Sequence, residues 1–254
     1  MPSTYEESDV HVRYDRGRTL DAVATRRLVE LLYRYSPKAV GLVVDLGCGT
    51  GRFSGILAET FGARVLGVEP AENMRTTAET KAHSDSVSFL AGTAENIPLD
   101  AGAADVVFMS QVFHHIADRR AVLREIRRVL RPAGRLFLRQ TTLENLDSYF
   151  YQRFFPEART LDERRLPSRA ELHEQAGACG YFVTAVETLA QEIASSGQEY
   201  VEKVGLRTYS DLEYITEDAF RAGLDALRAY AADHPEFPRS GELDVFVLQP
   251  ETRS

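Results

Sequence analysis

Two carboxylates and three glycines in this chain stand at the spacing of a nucleoside site. Asp45 ends an apolar run that includes Val43 and Val44, and the chain then turns through Gly47, Cys48, Gly49 and Gly51. Glu69 follows a second short apolar run that closes on Val68. Glycine tolerates positive φ and lets a ligand lie on bare backbone. A carboxylate at the tip of the next strand is placed to accept both hydroxyls of a ribose. Glycine spacing narrows the cofactor. The dinucleotide fingerprint is G-x-G-x-x-G, whereas the pattern here is G-x-G-x-G with Arg52 at the next position. A carboxylate at Asp45 repels a pyrophosphate and suits the amino group of an amino-acid moiety. The Walker pattern G-x-x-x-x-G-K-[ST] is absent, which argues against a nucleoside triphosphate.

Strands must carry these residues to one edge. Short apolar runs predict strands over 41–46, up to 69, 87–90, 105–109, 135–139, 181–186 and 244–248. Leu20, Val23, Ala24, Leu28, Leu31 and Leu32 recur at helical spacing, and Ser36-Pro37 ends that helix. A second helix follows the glycine turn to Phe61-Gly62, and a third starts near Ala71. Asp118 caps the clearest helix, Val122, Ile126, Val129 and Leu130 form its apolar stripe, and Pro132 with Gly134 stops it. Further helices are expected over 169–178 and through most of 196–235, where Phe220, Leu224 and Leu227 share a face. Strands alternating with helices at this spacing mean right-handed βαβ units and a parallel sheet.

Composition removes several classes. The 254 residues are 44% hydrophobic, enough for one α/β domain with additions. No apolar run reaches the roughly 18 residues of a membrane span, and the first residues lack a secretory pattern. Cys48 and Cys179 are the only cysteines, which gives no disulfide framework, no zinc spacing and a reducing cytoplasmic setting by default. The net charge of −8 disfavours a nucleic-acid partner. Arg120, Arg124, Arg127, Arg128 and Arg131 read as a solvated helix face.

Asp-x-Gly-x-Gly-x-Gly with a later ribose acid resembles the first two motifs of class I S-adenosylmethionine (SAM)-dependent methyltransferases. Thr93-Ala94-Glu95-Asn96-Ile97-Pro98-Leu99 resembles the segment after strand three in the ubiquinone-type and small-molecule branch. Ser110 to Ile116 and Leu123 to Gly134 resemble the family's later segments, so the likeness covers about residues 41–140. It implies a Rossmann-like, doubly wound α/β sheet of seven strands, mostly parallel with an antiparallel last strand, plus helical additions. The expected organisation is one domain over 1–254, with an N-terminal helical cap or lid (1–40), a SAM-binding half (41–140) and a substrate-side half (141–254) with a helical insertion at about 196–235. Carried over, Asp45, Gly47, Cys48, Gly49 and Gly51 hold the methionine end, and Glu69 takes the ribose. Pro70 or Met74 covers the adenine, Thr93, Ala94 and Glu95 border its edge, and Ser110 and Gln111 lie beneath the methionine. The resemblance implies SAM as cofactor and S-adenosylhomocysteine as product, with no metal.

Methyl transfer from a sulfonium is an in-line displacement, so the protein mainly positions the reactants and excludes water. Where a base is needed, His114 and His115 are the candidates, with His114 nearer the strand tip. Tyr14 and Arg18 share a face if their segment is helical. Tyr14 joins the catalytic candidates, and Arg18 would meet the cofactor carboxylate. Tyr149, Tyr151, Phe154 and Phe155 are the expected acceptor-pocket residues, because aromatic faces suit a flat substrate and a neighbouring sulfonium. The expected activity is methylation at O, N or C of a small aromatic or heterocyclic metabolite, by a cytoplasmic monomer or homodimer without membrane or nucleic-acid partners. The alternatives are a non-catalytic SAM-binding regulatory protein and an NAD(P)-dependent reductase, the latter disfavoured by Arg52.

Overall fold

The computed structural model describes residues 10–81 and 84–251. Strands β1 Leu42–Leu46, β2 Arg64–Val68, β3 Val87–Leu90, β4 Ala104–Ser110, β5 Leu130–Gln140, β6 Tyr181–Glu192 and β7 Ser240–Pro250 form one sheet. Its order is β3-β2-β1-β4-β5-β7-β6. The strands β1 to β5 pair in parallel, and β7 runs antiparallel between β5 and β6. This is the Rossmann-like sheet with the antiparallel last strand that the sequence implies.

Helices α1 Val10–Gly17, α2 Ala22–Tyr35, α3 Ser54–Phe61 and α4 Glu72–Glu79 precede the middle of the sheet. Then come α5 Arg119–Val129, α6 Pro156–Arg165, α7 Arg169–Ala178, α8 Gly197–Gly205, α9 Ser210–Glu213 and α10 Glu217–Asp233. Alternation along the strands decides the two layers. Val43, Val65, Val106, Phe137 and Val245 pack with Leu28, Leu31 and Leu32 of α2 and Leu57 of α3. Their neighbours Val44, Leu66, Val107, Leu136 and Phe246 pack with Ile126 of α5 and Leu172 of α7. Local signals start the helices as expected: Asp118 accepts the Ala121 N–H at 2.9 Å, and Ser168 with Glu171 forms a capping box.

Three boundaries differ. Leu130 begins β5 instead of ending the helix, and the register slips between the pairs Ala104↔Leu130 and Val106↔Arg135, a bulge that takes up Pro132 and Gly134. Strand β6 continues to Glu192 because its last residues still find partners in β7. Residues 196–235 break into three helices, with Arg207 at φ 51° after α8. Its guanidinium bonds the carbonyls of Leu212 and Ile215, and it pairs with Glu217 at 2.9 Å. Much of the expected solvated arginine face is structural: Arg128 bonds Glu125 and the carbonyls of Ile97 and Leu99, and Arg131 meets Asp105 at 2.6 Å.

A third apolar cluster joins the segment 149–155 to α8, α9 and α10. This helical insertion lies over the carboxyl ends of β4 and β5. Fully buried Asp244 of β7 joins α7, β6 and the end of β5, accepting from Arg169 (2.7 Å), Thr142 (2.8 Å) and Thr188 (2.7 Å).

Candidate active site

The glycine turn closes on the end of β2, where the Gly47 N–H donates to Val68 O at 2.8 Å. Gly47, Gly49 and Gly51 all have positive φ (70°, 55° and 73°). The first two do different work. A Cβ on Gly47 would stand 2.5 Å from Val112 Cγ2, whereas one on Gly49 meets nothing within 4 Å. The backbone at Gly49 therefore faces open space. Glu69 borders that space: its Oε2 accepts the Gly49 N–H at 2.9 Å and its Oε1 the Ala71 N–H at 3.0 Å. A carboxylate has about four acceptor sites over its two oxygens, the chemistry that a pair of ribose hydroxyls calls for. Asp45 lies beneath the turn and accepts the Ser54 hydroxyl at 2.7 Å. Burial, opposed by the Ser54 bond and helped by the Glu69 charge, pushes its carboxyl up to about 7. Cys48 is buried against Gly67, and burial with the nearby Asp45 and Glu69 charges pushes its thiol up, so only its backbone serves the turn.

The other sequence candidates lie along the same edge. Pro70, Thr93 and Glu95 are exposed, Ala94 is half-buried, and Met74 packs with Ala71 and Tyr14. Ser110 accepts from Arg139 at 3.0 Å. Gln111 has φ 58°, a strained value for a residue with a side chain. Two bonds hold it there, Gln111 Nε2 to Thr141 Oγ1 at 2.7 Å and Thr141 N to Gln111 Oε1 at 3.0 Å. All of these sit beyond the carboxyl ends of the strands, the side on which open α/β sheets bind ligands.

Next to this edge, under the helical insertion, is a small cavity of about 50 Å³. Tyr14, Arg18, Gln111, His114, His115, Tyr149 and Tyr151 all reach its wall. Phe154 and Phe155 are not among its lining residues. Phe154 packs on Tyr230 (ring centroids 5.5 Å apart) and Phe155 on Phe220 (5.9 Å). Benzyl rings without a polar atom fill the apolar core of the insertion, while the tyrosines find hydroxyl partners at the polar wall. Thr141 Oγ1 lies 3.1 Å from Tyr149 OH, and Tyr151 OH donates to Asp211 at 3.0 Å.

Gln140 Nε2 lies 2.9 Å from His114 Nδ1 and donates to Thr141 O at 2.9 Å. Gln140 Oε1 lies 3.3 Å from the same Nδ1, and His114 Nε2 lies 3.5 Å from Ser210 Oγ. Burial, with the neighbouring His115 and Arg165, holds His114 well below the ordinary histidine range. Its ring lies 4.1 Å from that of His115, which is exposed at the mouth.

Cationic groups gather between the cavity and the glycine turn. Arg18 stacks 4.3 Å over Tyr209, and it borders a second, small polar cavity together with Arg52 and Arg139. Arg139 bonds Gln191 at 2.7 Å; burial first, then the Arg52 charge, hold its guanidinium down to about 9. Sequence reasoning missed Arg139, Asp162, Arg165 and Asp211. Arg139 sits in a run that reads as core strand. Asp162 and Arg165 carry only an i,i+3 signal, and Asp211 falls in a stretch that reads as plain helix.

Residues 44–138 match the model of a methyltransferase domain. That stretch, from β1 into β5, is a methyltransferase domain. An O-methyltransferase of Pyrenophora dematioidea is 28% identical over 145 residues, which are 54% of either chain. The chain thus matches about half the length of such curated relatives. Solved structures extend the family's fold further. A crystal structure assigned to an antibiotic-biosynthesis methyltransferase of Anabaena variabilis superposes with a TM-score of 0.70 at 20% identity, covering 91% of this chain and 99% of that one. A geranyl diphosphate methyltransferase in complex with SAM gives 0.57 at 17% identity, over 88% of this chain and 84% of the other. Among the described residues no helix is long and apolar enough to cross a membrane, and no cluster of three or more His, Cys, Asp or Glu side chains could hold a metal.

Proposed function

We propose that this chain is a SAM-dependent methyltransferase acting on a small, polar aromatic or heterocyclic acceptor. The observation that carries the reading is the Glu69 carboxylate set beside the open space over Gly49, with Asp45 buried beneath the same turn. The chemistry of this donor set fits SAM. Glu69 takes the ribose hydroxyls, and the loop at Thr93, Ala94 and Glu95 borders the adenine, with Pro70 and Met74 at its face. Asp45 and the turn residues Gly47 to Gly51 accept the amino end. The methionine carboxylate meets Arg18, backed by Arg52 and Arg139, three cations gathered round one small polar cavity. When bound, SAM supplies a methyl group on a sulfonium, ready for in-line displacement.

The chain's own residues do the rest. The helical insertion covers the carboxyl ends of β4 and β5 and shields the acceptor cavity from water. Tyr14, Tyr149 and Tyr151 offer ring faces to a flat acceptor and to the sulfonium. His114, held by Gln140, presents its imidazole to the cavity as a hydrogen-bonding group. The relatives' names favour small-molecule chemistry, and an O-methyltransferase is among them. Isotope-labelled SAM and a panel of small phenols, amines and carboxylates test the assignment, with methylated products read by mass spectrometry. Tight binding of NADH with no binding of SAM would overturn it.

A further inference from the structure

Asp162 of α6 and Asp211 of α9 meet on the wall of the acceptor cavity. One amide joins them: Gln152 Nε2 donates to Asp162 Oδ2 and to Asp211 Oδ2, each at 2.9 Å. Tyr151 OH donates to Asp211 Oδ2 at 3.0 Å, and Arg165 Nε to Asp162 Oδ1 at 2.7 Å. Arg165 also reaches Ser210 Oγ at 2.7 Å, which lies 3.5 Å from His114 Nε2, so the pair and the histidine share one polar network. Arg165 is a cation bonded directly to the pair, and the charge at Asp211 favours a proton on Asp162. Gln152 Oε1, buried and without a hydrogen-bond partner, is a spare acceptor on the same amide.

The groups facing the pair come from every neighbouring element: Arg165 on α6, Arg18 after α1, Tyr151 on its turn and Tyr209 ahead of α9. Burial, and then the Asp211 charge, push Asp162 up to about 7 against the pull of Arg165. Burial likewise raises Asp211. A carboxyl raised in this way is a better base at neutral pH than an ordinary carboxylate. The histidines are less suited: Gln140 and Ser210 engage the two ring nitrogens of His114, and burial holds both His114 and His115 below the ordinary histidine range.

We propose that Asp211, with Asp162 as its positioning partner, is the catalytic base for a hydroxyl acceptor, so that the cavity serves O-methylation of a phenol or enol. This rests on the methyltransferase reading. The hydroxyl proton passes to an Asp211 carboxylate oxygen. The acceptor oxygen forms its bond to the methyl carbon as the carbon–sulfur pair stays on sulfur. The products are a methyl ether, S-adenosylhomocysteine and a protonated Asp211, which releases its proton to solvent. A phenol with the tyrosine-like pKa of about 10 needs such a base at neutral pH, whereas an uncharged amine does not.

Two phenols separate a base from a merely structural acid. 4-Methylphenol is un-ionised at pH 8, while 4-nitrophenol is largely ionised there. Asp211→Asn is expected to lower kcat/KM for 4-methylphenol about 10²- to 10⁴-fold and that for 4-nitrophenol less than about threefold, with SAM affinity unchanged by calorimetry. Asp162→Asn removes the like charge and moves the acid limb of the pH–rate profile down by on the order of one pH unit. Infrared titration of the protein without SAM is expected to show the same displacement for a buried carboxyl. An equal loss for both phenols, or a limb that stays in place in Asp162→Asn, would overturn the proposal. Failure of every phenol to accept a methyl while SAM still binds overturns the hydroxyl assignment and leaves the cofactor reading standing. Loss of SAM binding itself in the wild type would instead strike the reading beneath both.

Discussion

Replacing Gly49 by alanine adds one methyl group at φ 55°, at a point where the surrounding atoms leave open space. The left-handed backbone costs a side-chain-bearing residue about 1–2 kcal/mol. At this chain length that lowers Tm by roughly 2–8 °C. Gly47→Ala meets the same backbone penalty and also drives its methyl to 2.5 Å from Val112 Cγ2. Overpacking adds about 1–3 kcal/mol, so its Tm should fall roughly twice as far. The ranking for ligand binding is the reverse of what stability alone would give. The new methyl of Gly49→Ala stands where a nucleoside amino acid would lie on the backbone, so SAM affinity should drop at least about tenfold, or 1.4 kcal/mol. Differential scanning fluorimetry without ligand and calorimetric titration with SAM read the two effects separately. A Gly49→Ala variant with wild-type SAM affinity would refute the claim that this open space belongs to the ligand.

Arg18→Gln is expected to weaken SAM about 5- to 150-fold through loss of a charge-assisted bond, while leaving adenosine affinity unchanged, because adenosine lacks the methionine. Competition binding with both ligands checks this, and equal losses would contradict it. Asp45 has a folded pKa near 7, above its unfolded value, so its share of stability is full at low pH and is lost as pH rises from about 4 to 7. Asp45→Asn should therefore gain stability relative to wild type across that window, as seen in the difference between their Tm-against-pH curves. A difference that is flat or falls would contradict the burial argument. Asp244→Ala strips the shared acceptor from Arg169, Thr142 and Thr188 and should cost about 2–4 kcal/mol, measured by urea unfolding.

What could be read in the sequence was local. The turn from Asp45 to Gly51 and the acid Glu69 are fixed by residues adjacent in the chain, and β1 pairs directly with β2, so motif and geometry coincide. The stripe of α5 and its Asp118 cap are likewise set within one helix. The acceptor cavity is different. Its wall joins the ends of β4 and β5 to α6 and α9 through tertiary packing that leaves no periodic signal. Aromatic type alone could not say which rings of 149–155 turn to the cavity. The hydroxyls of Tyr149 and Tyr151 decided it, while Phe154 and Phe155 went to the apolar core. Arg139 shows the same limit on a strand: it closes a run that reads as core strand, and nothing in that run signals the buried cationic cluster it joins.

Calorimetric titration of SAM into the wild-type chain and into Glu69→Ala tests the central claim most directly. The wild type should bind one SAM per chain, and the variant should lose about 1–3 kcal/mol through its missing charge-assisted hydrogen bonds to the ribose. Equal affinity in the two proteins, or heat from NADH and none from SAM, would contradict the account.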